Sequence, residues 1–260
     1  MKKHFVIFTI FISFGILFAQ DISSDEAFKL LSKADSTTNF EGSDFNGYYS
    51  LVQEKPGQGT SLTEAVMHRR DSKGWFTILI TKPSNDKGKG YVQFDDVLWF
   101  YDPHDNQFTF TSSANKFNNT NVNNGDFAPM HFARDYKIES AKRVKLGTYN
   151  CVNFVLKATA KKVDYPEIRL WVTEEDGLIR KKEDYSLSGQ LLRTTAIPSY
   201  QKASNGRFVP YKMLVVDNLR GKKINGKMQY EKTQVTVTNV NFELQQDVVY
   251  TKNYLEMMAK

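Results

Sequence analysis

The chain has 260 residues, with 35 lysines and arginines against 29 aspartates and glutamates, so its formal net charge is +6. This modest excess does not indicate a nucleic-acid-binding protein, because the basic residues are spread along the predicted strands and turns. Cys151 is the single cysteine, which excludes an intramolecular disulfide, and its apolar neighbours favour a buried, unreactive side chain.

The first nineteen residues have the pattern of a secretory signal peptide. Two lysines precede an apolar run of fourteen residues, 5–18, and Ala19 stands before a polar segment. Fourteen apolar residues are too few to cross a bilayer, which takes about 20. An uncleaved membrane anchor stays open as an alternative, because Leu17 is a poor match to the small residue expected three positions before the cut.

The predicted cleavage junction has no cysteine nearby, so we do not expect the mature N-terminus to carry the lipid of a bacterial lipoprotein. We predict a soluble periplasmic protein that is cut after Ala19 and retains about 241 residues. No Pro-, Gly- or Ser-rich linker and no fixed-period repeat divides the remainder. A single domain over residues 20–260 is therefore favoured over two.

One helix is predicted directly after the signal. Ser23 and Glu26 have the spacing of a capping box, in which each side chain binds the backbone N–H of the other residue. An apolar stripe follows at helical spacing, formed by Phe28, Leu30, Leu31 and Ala34. So short a helix stabilises little alone, and its stripe must dock on the rest of the fold.

Beyond Gly42 the apolar period changes from helical to two, which predicts strands. The predicted strands are Thr63–Arg70, Trp75–Thr81, Tyr91–Phe94, Val97–Tyr101, Gln107–Thr111, Tyr136–Lys145, Asn150–Ala158, Glu167–Thr173, Leu178–Tyr185, Leu191–Ile197, Phe208–Val216 and Met228–Phe242. Three dipeptides between them are typical of type I′ hairpins, which need positive φ at both central residues: Asp176-Gly177, Asn205-Gly206 and Asn225-Gly226. About a dozen strands joined in this way form an antiparallel meander that must curl.

A curled sheet has a concave side that something must fill. The N-terminal helix is one candidate, and the segment between Ser112 and Arg134, with six asparagines, is the other. Such an asparagine cluster can be a solvated loop, because its amides compete with regular backbone pairing. A lid over a cavity is the second interpretation, and the two are compatible.

Several strands are apolar on both faces. In one of them Phe76, Ile78 and Ile80 share one face, whereas Trp75 and Leu79 share the other. A strand of this kind is covered on both sides. The covered surface can be a thick core or can line a cavity for an acyl chain, and composition alone does not separate the two.

No pattern indicates catalysis. His68, His104 and His131 have no metal-like spacing, and Ser188-Gly189 lacks the preceding glycine of a nucleophile elbow. We therefore expect a protein that is not an enzyme, with no catalytic residue, no metal and no cofactor.

A set of motifs between Lys82 and Phe127 resembles a signature of the outer-membrane lipoprotein-sorting protein family of the LolA-like superfamily. The matching elements, in order, are Lys82-Pro83, Gly88 and Gly90, Leu98-Trp99-Phe100-Tyr101-Asp102-Pro103, Gln107 to Phe110, and Gly125-Asp126-Phe127. The family often has arginines after the proline that corresponds to Pro103, and this chain has Asp105, Asn106 and Gln107 there instead. Its basic residue before Pro83 is also a lysine, which lacks the planar fork of arginine and would hold the carbonyls of a lid less rigidly.

The resemblance implies a mainly β fold, an open antiparallel half-barrel with helices covering its concave face. It also implies a periplasmic carrier that transfers a lipidated protein or another acyl ligand between envelope membranes. The cargo-binding residues that follow from it are Trp75, Ile78, Ile80, Leu98, Trp99, Phe100, Tyr101 and Phe127, with Lys82 and Asp126 as lid or gating residues.

The implied partners are a lipidated protein or acyl-lipid cargo, an inner-membrane exporter and an outer-membrane acceptor, each met transiently by a monomer that binds no nucleic acid. The same scaffold also hosts regulators, because a fold does not fix a function. A periplasmic regulatory or accessory module that binds an inner-membrane partner therefore stays open as the alternative.

Overall fold

Fourteen antiparallel strands form one continuous sheet in the computed structural model, which describes residues 20–260. The strands are β1 (Gln20–Asp21), β2 (Asp44–Lys55), β3 (Gly59–Arg70), β4 (Trp75–Lys82), β5 (Gly90–Phe94), β6 (Val97–Asp102), β7 (Gln107–Phe110), β8 (Tyr136–Leu146), β9 (Tyr149–Ala158), β10 (Glu167–Thr173), β11 (Ile179–Tyr185), β12 (Leu191–Lys202), β13 (Phe208–Ile224) and β14 (Lys227–Asn241). Three helices accompany them in the described residues: α1 (Ser24–Thr38), α2 (Phe132–Asp135) and α3 (Lys252–Met258). The predicted signal peptide, residues 1–19, lies outside the described residues.

The sheet is open, because its edge strands β1 and β7 do not pair with each other. The order is β1-β8-β9-β10-β11-β12-β13-β14-β2-β3-β4-β5-β6-β7, so nearly every strand lies beside its neighbour in sequence. The exceptions are β1 on β8 and β14 on β2, and the second of these joins the two halves of the meander. The predicted fold class, a mainly β half-barrel that does not close, is confirmed.

The N-terminal helix forms as its capping box predicts. The Ser23 hydroxyl accepts from the backbone N–H of Glu26, and the Glu26 carboxylate accepts from the backbone N–H of Ser23. Leu31 and Ala34 are buried against β9 and β10, but Phe28 is 55 % exposed. The buried stripe therefore runs through Ala27 and not through Phe28, because the helix is rotated about its axis relative to the prediction.

Turn geometry matches the dipeptide predictions at one of three places. Asn225 (φ 50°) and Gly226 (φ 77°) both have positive φ, as a type I′ turn requires. At the other two dipeptides only Gly177 and Gly206 do, so those connections are longer loops. At the first of them the Asp176 carboxylate accepts from the backbone N–H of Leu178, which competes with a tight hairpin.

Two segments cover opposite faces of the sheet. We call the side that carries α1 the inner face, and residues 111–131, between β7 and α2, also lie on it and are called the cover loop. The C-terminal segment with α3 packs on the outer face of β4 to β6 instead. The expected helical cover of the inner face is thus made by α1 together with a loop. Within the described residues no helix is both long and apolar enough to span a membrane.

Candidate functional site

An apolar cavity of about 140 Å³ lies between the inner face and its cover. Its floor is formed by β2 and by β11 to β14, and its roof by the C-terminal end of α1, the cover loop and the start of α2. Most of the side chains that line it are apolar, among them Phe40, Phe45, Tyr49, Val122, Phe127, Met130, Phe132, Ile179, Ile197, Val209, Met213, Val215, Val235 and Val237. A pocket that is mostly apolar with few polar groups is typical of a site for a hydrophobic ligand.

The alternation of side chains along the strands forms this floor. In register, Thr195 of β12 lies opposite Val215 of β13, and Val215 lies opposite Thr233 of β14. Because side chains two residues apart share a face, Met213 and Val215 point into the cavity, and Val216 points to the outer face.

Arg69 of β3 holds both parts of the roof. Its guanidinium donates to the backbone carbonyl of Thr38 at the end of α1 (Nη2–O, 2.8 Å) and to that of Phe127 in the cover loop (Nη1–O, 3.3 Å). Asp71 pairs with the same guanidinium and accepts from the backbone N–H of Phe40. One buried arginine therefore connects the sheet, the helix and the loop, and its planar fork lets it make these contacts together.

A second polar tie lies at the other side of the cover loop. Asp126 receives two hydrogen bonds from Arg193 of β12, one of them with an Nη2–Oδ1 distance of 2.8 Å. Arg193 also donates to Asp184 of β11 (Nε–Oδ2, 2.9 Å), and Lys182 donates to the same carboxylate. Two cations and two anions thus form a neutral network, which meets the condition that buried charges are paired.

The charge state of Asp126 follows from this network. Burial alone would raise its pKa, but the Arg193 charge and hydrogen bonds, with Lys182 and the backbone N–H of Asn123, hold the pKa below its ordinary value. The pKa of Arg193 is raised by Asp126 and Asp184 against the opposing effect of burial. Both groups are therefore ionised near neutral pH, and the cover loop is bound by an ion pair.

Three further contacts seat the cover loop. Lys116 pairs with Asp217 of β13, and the backbone N–H of Asn121 donates to the Thr233 hydroxyl (N–Oγ1, 2.8 Å). Phe117 is fully buried, with its ring centroid 5.1 Å from that of Tyr91 and 4.9 Å from that of Phe127. The asparagine-rich segment is therefore packed against the sheet, and Asn121, Asn123 and Asn124 are buried within it.

Five of the predicted cargo-binding residues lie on the inner face. Phe127 lines the cavity. The other four, Ile78, Ile80, Leu98 and Phe100, pack in the same inner cluster beside Phe117 and do not line the cavity. The cover loop thus separates them from the cavity.

The other three lie on the outer face. Trp99 and Tyr101 pack with Leu255 of α3, and Trp75 packs against Tyr250. This packing explains why position 90 is a glycine, because a Cβ there would stand only 2.6 Å from the Leu255 side chain. Gly90, Trp99 and Tyr101 of the sequence signature thus seat the C-terminal helix on the outside of the sheet.

The two predicted gating residues differ in position. Asp126 joins the cover loop to Arg193, as described above. Lys82 pairs with Glu64 at 2.8 Å, and its side chain is largely exposed. The carbonyls of the roof are held by Arg69, which sequence reasoning missed. The signal available for it was an arginine among apolar residues on the inner face of a predicted strand (Ala65, Met67).

The volume of the cavity limits what this conformation can hold. A cavity of about 150 Å³ accommodates a molecule the size of benzene, so an acyl chain of about a dozen carbons needs more space. Movement of the cover loop would provide it, since removal of Phe117 from the inner cluster would join the cavity to the surface around Ile78 and Leu98. Such a movement would break the contacts next to Phe117, which are the Lys116–Asp217 pair and the Asn121–Thr233 hydrogen bond. The ties at Arg69 and Arg193 hold the rest of the roof.

Solved structures with the same fold come from several bacteria. A LolA superfamily protein from Nitrosomonas europaea matches with a TM-score of 0.71 and 21% identity, over 87% of this chain and 97% of that chain. A domain described as outer membrane lipoprotein-sorting, from Vibrio parahaemolyticus, matches with a TM-score of 0.74 and 15% identity, over 88% and 97%. A DUF1329 family protein from Desulfovibrio piger has a TM-score of 0.75 and 14% identity, over 89% and 98%. Identities this low establish the fold alone.

No curated protein matches the chain. A family model described as that of an uncharacterized protein matches residues 72–257, which is more than half of the chain. The match begins just before β4, so it contains the whole signature from Lys82 to Phe127, the cover loop and Arg193. The chain therefore belongs to that family, and its fold is the fold of the LolA superfamily and of outer-membrane lipoprotein-sorting domains.

Proposed function

We propose that this protein is a periplasmic carrier that binds the acyl chains of a lipidated protein, or another acyl ligand, between the inner face and the cover loop. The observation that supports this most is an apolar cavity whose roof is attached by a few polar contacts, at Arg69 and Arg193. Two of the structures that share the fold are described as a LolA superfamily protein and a lipoprotein-sorting domain. The proposed activity is binding and transfer without a chemical step.

When an acyl chain binds, the roof loses some of its hydrogen bonds and ion pairs, and the apolar surface of the chain is buried. Each methylene that leaves water contributes about 0.8 kcal/mol, so a chain of about ten carbons offsets the loss of several hydrogen bonds of about 1–3 kcal/mol each. The closed roof also shields the apolar floor when no ligand is bound, which limits aggregation. Release then needs an acceptor with a better site, and a cavity of moderate affinity suits such a transfer.

The proposed cargo site has two parts. The first is the cavity, with Phe127, Val215 and Val235 as representative walls. The second is the inner-face surface of Ile78, Ile80, Leu98 and Phe100, which the ligand reaches once Phe117 has moved. The outer-face residues Trp75, Trp99 and Tyr101 are left out of the proposed site.

The proposed partners follow from the proposed cargo. An inner-membrane exporter would load the carrier and an outer-membrane acceptor would unload it, each in a transient contact with a monomer. Crosslinking in cells with a photoreactive residue at an exposed position of the cover loop, such as Ala114, tests this. Crosslinks to two membrane proteins are expected, and a single stoichiometric partner that binds without lipid would contradict the carrier.

Titration with a fluorescent fatty-acyl probe tests the site itself. Wild-type protein is expected to bind the probe at one saturable site. Val215→Phe fills the cavity and should weaken binding at least tenfold, whereas Val216→Phe adds the same ring on the outer face of the same strand and should leave binding unchanged. Thermal unfolding of both variants checks that they fold, since overpacking costs about 1–3 kcal/mol. The proposal would be overturned if the wild-type protein did not bind the probe, or if both variants bound it equally well.

A further inference from the structure

The hairpin that joins β13 to β14 extends beyond the rest of the sheet. The last pair between β12 and β13 is Arg193 with Asp217, and the last pair between β14 and β2 is Lys232 with Glu54. From Gly221 to Tyr230 the two strands pair with each other only. Residues 218–231, called the basic ribbon below, therefore project as a two-stranded arm of roughly 15 Å at about 3.3 Å per residue, with a bulge in β13 at its base.

The basic ribbon carries an unbalanced positive charge. Arg220, Lys222, Lys223 and Lys227 face a single acidic residue, Glu231, and all four cations are exposed. Arg220 approaches Asp217 only at 4.0 Å. Among residues 20–260, Lys222, Lys223 and Lys227 make no salt bridge. A hairpin of this composition has a positive field that attracts an anionic surface.

Exposed apolar side chains lie among these cations. Leu219 is 54%, Met228 48% and Tyr230 39% exposed. Gly221 leaves room for two of them, because a Cβ on it would stand 3.1 Å from the Met228 Sδ and 3.2 Å from the Tyr230 ring. In register Lys223 lies opposite Met228, so Lys223 shares a face with Met228 and Tyr230, whereas Lys222 and Lys227 lie on the other face. Cations are therefore present on both faces of the ribbon, and on one of them they lie beside exposed apolar side chains.

We propose that the basic ribbon docks the protein on an anionic lipid bilayer. Lysine and arginine side chains reach lipid phosphates while their stems lie along apolar surface. Tyrosine favours the membrane–water interface, and an element that combines exposed apolar side chains with cations binds there through buried apolar area and attraction to anionic lipids. A surface that is only acidic would match the charges, but it would leave Leu219 and Met228 without apolar partners. Membrane docking is independent of the acyl cavity and holds even if no cargo binds there.

The base of the basic ribbon also contacts the cover loop. The Asp217 carboxylate accepts from the backbone N–H groups of Leu219 and Arg220, and it pairs with Lys116. Docking therefore places the cover loop near the bilayer surface, where an acyl chain would leave or enter.

Cosedimentation with lipid vesicles tests the proposal on the full mature protein. Vesicles of phosphatidylcholine with phosphatidylglycerol should bind it, vesicles of phosphatidylcholine alone should not, and added salt should weaken the binding. A variant with Lys222→Gln, Lys223→Gln and Lys227→Gln should lose about a hundredfold in partition coefficient, since each basic residue near an anionic surface contributes about fivefold. The matched control changes three exposed lysines on β8: Lys137→Gln, Lys142→Gln and Lys145→Gln.

A second variant separates lipid from protein as the partner. Leu219→Ser with Met228→Ser keeps every charge, and it should also weaken vesicle binding by at least tenfold. Urea unfolding checks the fold of each variant. Wild-type protein that does not sediment with anionic vesicles, or equal losses in the ribbon variant and the β8 control, would overturn the proposal. The proposal would also be overturned if the protein bound an acidic protein through the basic ribbon but did not bind the vesicles.

Discussion

Arg193 is one of the sheet residues that hold the cover loop. Its guanidinium contacts Asp126 on the loop and Asp184 on the neighbouring strand, and it is nearly inaccessible to solvent. Removal of one partner from a buried charge pair leaves the other charge uncompensated, which costs more than the pair contributes. Asp126 is the partner that can be removed with the least change of shape.

Asp126→Asn is expected to lower the free energy of unfolding by about 2 kcal/mol, the range of a lost hydrogen bond to a charged group. It should also raise the hydrogen-exchange rates of the cover loop, because the loop loses its ion pair with Arg193. Mass spectrometry of exchange and urea denaturation measure the two effects. In a double-mutant cycle, Arg193→Met should lower the free energy of unfolding by less in the Asp126→Asn background than in the wild type. Strict additivity would contradict a direct coupling.

The elements that the sequence predicted well are those whose own pattern is strong. The capping box of α1 and the twelve alternating runs depend on local residues, and the structure has a strand at each of them. β2 was not predicted, although it joins the two halves of the sheet. Its Asn46-Gly47 dipeptide is typical of a turn, yet Gly47 leaves room for the Phe45 ring, from which a Cβ would stand 3.1 Å away.

The assignment of strand faces could not be made from the sequence. Trp99 and Phe100 are equally apolar neighbours, and only tertiary packing decides that α3 covers the first and Phe117 lies near the second. The helix is 150 residues further along the chain, so no local pattern connects it to β6. Arg69 and Arg193 were missed for the same reason, since each contacts an element distant in sequence.

The C-terminal helix gives a prediction at this scale. Leu255 of α3 is fully buried on β5 and β6, so Leu255→Ala should cost about 2–5 kcal/mol of unfolding free energy. It should also shift tryptophan emission to longer wavelength, because the Trp99 side chain becomes more exposed to solvent. Met257→Ala on the same helix is the control, since Met257 is 64% exposed, and it should change stability by less than about 0.5 kcal/mol. Equal effects of the two would contradict the outer-face docking.

Across the whole molecule, several ionisable groups make stability depend on pH. Burial lowers the pKa of His68 from its ordinary 6.5, against an opposing effect of Asp44. For Asp44 and Asp217, burial would raise the pKa, but Arg70 and Lys116 respectively, with other hydrogen bonds, hold it below 3.8. Asp35 has the opposite shift, since burial raises its pKa despite two backbone hydrogen bonds.

The expected profile follows from these directions. The unfolded chain binds a proton at His68 more readily, so the free energy of unfolding should fall as pH drops through 6.5. It should fall more steeply below 3.8, where Asp44, Asp126 and Asp217 lose the contribution of their lowered pKa values. Asp35 acts in the opposite direction just above 3.8, because its raised pKa lets the folded chain bind that proton first. Urea denaturation between pH 7 and pH 3 measures the profile, and His68→Gln should flatten its upper part. A stability that rises as pH falls from 7 to 5 would contradict these assignments.

The position of the basic ribbon relative to the cavity appears only at this scale. Four cations lie within residues 220–227 of the sequence, and the hairpin places them on an arm that projects from the sheet. The sheet thus has an apolar cavity under its cover and a basic arm at one end. A carrier that collects acyl chains from a membrane would use both.

An acyl chain that occupies the space under the cover loop, as we propose, should be visible by native mass spectrometry. The protein is purified gently from its own cells, without detergent, and is then dissociated in the gas phase. We predict a fraction with added mass that releases an acylated molecule, and Val215→Phe should reduce that fraction while Val216→Phe does not. A bare mass for the wild-type protein, or an adduct that both variants keep equally, would contradict the claim.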